Sequence, residues 1–74
     1  MQTFNVITRN TKTGELGNTL GLIAASSAEA AIAHAATIMG YESANEMAAD
    51  YAKAMRPQTV FAEVDNRQAR YVAP

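Results

Sequence analysis

The stretch SSAEAAIAHAATIMGYESANE, residues 26–46, decides how this chain folds. Ser26-Ser27-Ala28-Glu29 has the form of a capping box, in which a hydroxyl accepts from an orphan N–H of a new helix and a carboxylate reaches back to the cap. Ala28, Ala31, Ile32, Ala35, Ile38 and Met39 then fall on one stripe at helical spacing. Gly40 supplies the stop. The same grammar starts again at Ser43-Ala44-Asn45-Glu46, a second box. It is followed by Met47, Ala48, Tyr51 and Met55 on one face, with Asn45, Glu46, Asp50 and Lys53 on the other. Pro57 disfavours helical geometry in the residue before it, so the second helix is expected to end near Arg56.

The flanks read as strands. Thr3 to Arg9 alternates, with Phe4 and Val6 on one side and Thr3, Asn5 and Arg9 on the other; Ile7 breaks the pattern and implies that both faces are partly covered. Asn10 to Glu15 is a polar run whose Gly14 suits a left-handed turn position, which predicts a hairpin. The second strand, about Asn18 to Ala25, turns Leu20 and Leu22 toward one face, and Gly17 and Gly21 predict a bulge or a close backbone approach. Beyond the helices, Thr59 to Val64 alternates with Val60, Ala62 and Val64 inward. Asp65-Asn66-Arg67-Gln68 is a turn, and Ala69 to Val72 is a candidate short edge strand. The expected fold class is α+β over one domain, residues 1–74. It is a small antiparallel sheet of three or four strands with two helices packed on one face, in the order β-β-α-α-β and with room for a final short β.

Composition bounds what such a domain can do. Of 74 residues, 49% are hydrophobic, but sixteen of those are alanine, which buries little area. The expected core is therefore thin, built from Phe4, Val6, Leu20, Leu22, Ile32, Ile38, Met47, Tyr51, Val60 and Val64. Self-association, as in a homodimer, would relieve the shortage of buried surface. With no cysteine, disulfides and thiolate chemistry are excluded, in keeping with a reducing cytoplasm. The net charge of −1 makes nucleic acid an unfavoured partner. No run approaches the ~18 apolar residues of a membrane span, and the polar first strand does not resemble a secretion signal.

Catalytic chemistries fail one by one. His34 is the only histidine and sits on the flank of the first helix, without a second imidazole or thiolate to share a metal. Ser26, Ser27 and Ser43 are explained as caps, with no base placed to activate them. Glu42, Glu46 and Asp50 form a solvated helix face or an acidic docking surface. Gly14, Gly17 and Gly21 have the wrong spacing for a phosphate loop. Catalytic, cofactor and metal residues are therefore expected to be none. What remains is recognition. Arg9, Lys12, Arg67 and Arg70 could gather at one end or on the open face of the sheet with Tyr71 among them. Arginine with tyrosine is a common mixture in protein-binding hot spots and in nucleic-acid stacking platforms. Tyr41 either covers the junction between the helices or projects as a contact residue.

Three pieces of the chain, Thr3-Phe4-Asn5-Val6-Ile7-Thr8, the Gly14-Glu15 turn and the junction Ile-Ala-Ala-Ser-Ser-Ala-Glu-Ala-Ala from Ile23 to Ala31, give its first forty residues a resemblance to small phage-encoded anti-CRISPR proteins of type I systems. That resemblance implies a stoichiometric inhibitor in the cytoplasm of a bacterial host. It would occupy the surface by which a CRISPR surveillance complex grips guide or target DNA, or block nuclease recruitment. On the residues alone, the alternatives are a small homo-oligomeric accessory domain or a weak nucleic-acid module using the sheet.

Overall fold

The computed structural model describes residues 1–53 and 57–74. Six elements follow one another: β1 (Gln2–Asn10), β2 (Leu16–Ala25), α1 (Ala28–Ile38), α2 (Ala44–Ala52), β3 (Gln58–Val64) and β4 (Tyr71–Val72). The strands form one sheet in the order β3-β1-β2-β4. β1 is antiparallel to both of its neighbours, as expected, but β4 joins β2 in parallel, so the sheet is mixed. The parallel pairing follows from the connectivity: β3, antiparallel to β1, already runs in the same direction as β2, and β4 keeps that direction after crossing to the far edge.

The hairpin closes as its residues dictate. Asn10 Oδ1 accepts from the N–H groups of Lys12 and Thr13, and Gly14 takes a φ of 76° and donates to the Asn10 carbonyl. Past the turn, β2 holds one more residue than β1 at two places. Val6 faces Gly21 while Ile7 faces Thr19, which leaves Leu20 unpaired; a second slip lies between Ile7 and Arg9. At the second slip Gly17 lies against buried Thr8, so close that a Cβ on it would collide with Thr8 Oγ1. The first slip also corrects an expectation. Leu20 packs toward the helices, whereas Leu22 pairs with Asn5 on the other face, because the bulge breaks the alternation between them.

α1 begins one residue later than expected. Its cap is Ser27, not Ser26: the Ser27 Oγ accepts from Ala30 N–H at 3.1 Å. Ala25 is still paired with Gln2, so Ser26 is used in leaving the sheet. Glu29 therefore sits in the first turn, where it favours the positive helix end, and does not complete a box. At the other end Gly40, with φ of 87°, donates to Thr37 O and Tyr41 to Ala36 O, a Schellman stop. α2 starts where expected. Ser43 Oγ accepts from Glu46 N–H, while the Glu46 carboxylate accepts from Glu42 N–H, one residue ahead of the cap. α2 ends at Ala52 with its cap at Lys53, short of the end expected near Arg56; Met55 and Arg56 themselves lie outside the described residues.

The core is thinner than the list of large side chains suggests. Phe4, Val6, Ile23, Ala25, Ala31, Ala35, Ala36, Met47 and Ala73 are buried, with Leu20, Ile32, Tyr41, Tyr51, Val60 and Ala62 packed around them. Alanines let α1 lie close to the sheet, where Ile38 was expected to plug in; Ile38 and its stripe neighbour Met39 both remain exposed at the helix end. Val64 shares the inner face but is 60% exposed at the sheet's edge, beyond the reach of either helix. No described helix is long and apolar enough to cross a membrane.

Candidate functional site

With both helices on one side, the other face of the sheet is built from the opposite phase of each strand. Cross-strand partners share a face, so the register assembles it in rows. Leu22, Asn5 and Glu63 form one row; Thr19, Ile7 and Phe61 the next; Leu16, Arg9 and Thr59 the last before the hairpin. Ile7 is 6% exposed yet lies outside the core cluster, so the half-buried flanks of Phe61 and Leu22 give this face an apolar centre of its own. The broken alternation at Ile7 is what signals it in the sequence.

Arg9 roofs that centre. Its guanidinium carbon stands 4.6 Å from the centroid of Phe61, the diagonal neighbour one row away. At the far edge, exposed Arg70 stands just ahead of β4 beside Leu22, whose carbonyl accepts the Arg70 N–H at 2.8 Å. Glu63 is the one acid in these rows. Asn5, at the middle of the central strand, is 5% exposed, and its Oδ1 has no donor. An unmade bond of that kind costs roughly 1–3 kcal/mol.

The remaining nominated residues are dispersed. Lys12 is exposed in the hairpin turn, near the Arg9 end. Arg67 is at the opposite end of the sheet, ~20 Å away by strand rise. There it donates through Nε and Nη2 to the Asp65 carboxylate at 3.0 and 2.8 Å. The expected gathering of all four cations does not occur, because antiparallel β3 returns the chain to the end remote from the hairpin. Tyr71 is in register with Ile23, and its ring lies over Gly21 on the helix side, away from the arginines. Tyr41 covers the helix junction: half-buried against the core, it donates its hydroxyl to Asp50 Oδ2 at 2.6 Å. That bond to a carboxylate pushes the phenol up to about 12.

Charge is segregated between the two layers. Glu29, Glu42, Glu46 and Asp50 lie on or between the helices, with Lys53 capping α2, while the outward rows of the sheet carry Arg9 and Glu63. Phe61 is the residue that reading the sequence missed. Its position on the outward phase of β3, between Val60 and Ala62, was the available clue. A nucleic-acid stacking platform uses successive rings; the rows of this face carry one. His34 instead lines an open pocket of about 210 Å³ with Ala30, Ala33, Thr37, Ala73 and Pro74. Among the described residues no group of three potential metal ligands converges. No protein-family model matches the chain, and no curated protein and no solved structure matches it either.

Proposed function

We propose that this protein is a stoichiometric protein-binding inhibitor that docks the helix-free face of its sheet on an acidic surface with an apolar centre. The observation that carries the reading is the Arg9 guanidinium over Phe61 and next to Ile7. A cation held over an apolar patch is already partly ordered, so less side-chain entropy is lost when a partner covers it. Arginine and aromatic anchors of this kind dominate binding energy in protein interfaces.

In its sharpest form the partner is a type I CRISPR surveillance complex. That step rests on the resemblance of residues 3–8, 14–15 and 23–31 to anti-CRISPR proteins. The charge of the face favours one of the two modes of action. A surface that grips DNA is itself cationic and repels Arg9 and Arg70, so the fit is with the surface that recruits the nuclease. The test is native mass spectrometry and calorimetry of purified type I surveillance complex with this protein. Binding at a fixed ratio, with nuclease recruitment blocked and target DNA still bound, is expected. No binding by the wild-type protein removes the CRISPR target, and displacement of DNA removes the recruitment mode.

A further inference from the structure

β3 and β4 are parallel strands at opposite edges of the sheet, and residues 65–70 alone carry the chain between them, past β1 and β2. A crossover between parallel strands ordinarily takes about a dozen residues or more and contains a helix that packs on the sheet. This one contains no helix. It is fixed at its start, where Asp65 donates its N–H to Thr3 O and accepts from Arg67 in a tight turn. Asn66, Arg67 and Gln68 are then exposed. At the far end the N–H groups of Arg70 and Ala73 meet Leu22 O and Ala24 O, on either side of a seam of two paired residues. From Asp65 to Pro74 only Ala73 is buried, while Tyr71 and Val72 are 41% and 66% exposed.

We infer that residues 69–74 are a strap that opens on its own, swinging about the Asp65–Arg67 turn while β1, β2, β3 and both helices stay folded. Local stability follows buried apolar contact and shielded hydrogen bonds. β1 has both: it is paired along both sides and buries Phe4, Val6 and Ile7. The strap has a two-residue seam and one buried alanine, a side chain that removes little apolar area from water. What it closes is the pocket beside α1. Ala73 and Pro74 form one wall of that cavity, opposite Ala30, Ala33, His34 and Thr37. Opening parts Tyr71 and Val72 from Ile23 and Ala24 and takes this wall away. The cavity then becomes a cleft between α1 and the edge of β2, with Ile23, fully buried in the closed form, bared along it.

The test is hydrogen exchange of the wild-type chain, followed residue by residue by NMR in water and in low denaturant. The amides of Arg70 and Ala73 are expected to exchange ~100-fold or more faster than those of residues 3–7 in β1. Their rate should be nearly independent of denaturant, because the opening exposes little surface, whereas exchange in β1 rises steeply. Equal protection and equal denaturant slopes for the two sets overturn the proposal. Ala73→Asp puts a charge at the strap's one buried side chain. It is expected to strip protection from residues 70–73 and to shift the resonances of Ala30, Ala33, His34 and Thr37, while β1 stays protected. An Ala73→Asp chain that unfolds altogether makes the segment integral to the fold and overturns the strap as well. Neither readout depends on the inhibitor reading.

Discussion

Ser26 and Ser27 are adjacent and chemically identical, and only Ser27 caps a helix. The sequence offers no way to choose between them, because Ser26 has the better box spacing to Glu29. The choice is made by β2, which holds Ala25 in the sheet opposite Gln2 and uses up Ser26 in the exit. Loss of an N-cap oxygen costs about 1 kcal/mol, which is ~4–8 °C in the thermal midpoint of a domain this size. Ser27→Ala is therefore expected to lower the midpoint by that amount. Ser26→Ala should leave it within the roughly 0.5 kcal/mol typical of a neutral surface change. Thermal unfolding of the two variants side by side checks the assignment, and a larger loss in Ser26→Ala than in Ser27→Ala would return the cap to Ser26.

Between elements, two hydrogen-bonded pairs make stability depend on pH in opposite directions. Tyr41 ties the start of α2's approach to Asp50 within it, and its phenol is raised from 10.0 to about 12 by that bond. A raised pKa means the bond's contribution is complete below pH 10 and is lost as pH rises toward 12. Asp65, held by Arg67 through its side chain and its N–H, is lowered from 3.8 to about 2. Its contribution is complete above pH 4 and is lost as pH falls toward 2. Unfolding midpoints across pH are expected to drop at both ends, with the alkaline drop smaller in Tyr41→Phe and the acid drop smaller in Asp65→Asn. Identical profiles for variants and wild type would show that these pairs do not form. The same scale explains the misplaced leucine: Leu20 and Leu22 share a phase in the sequence, and only the bulge opposite Val6, a property of two paired strands, separates them.

For the whole molecule, the element order and the two-layer plan were legible from the caps, the glycines and the alternation of residues 3–9 and 59–64. The binding face was legible only in part. Arg9 and Arg70 stand out as cations, but where Arg70 lies depends on β4 crossing to the far edge and running parallel, which no local pattern encodes. For the same reason Tyr71 and Arg67 could not be separated from them. Once the register is known, the molecule has an acidic helix layer and an arginine-bearing sheet face. These two surfaces make opposite demands on a partner. The deciding measurement is therefore calorimetric affinity for the surveillance complex after charge reversal on each layer in turn, with circular dichroism confirming that both variants fold. Arg9→Glu with Arg70→Glu is expected to abolish binding, while Glu29→Lys with Glu46→Lys leaves the affinity within a few-fold of wild type. Binding lost on the helix layer and kept on the sheet would contradict the proposed face and place recognition on the acidic side.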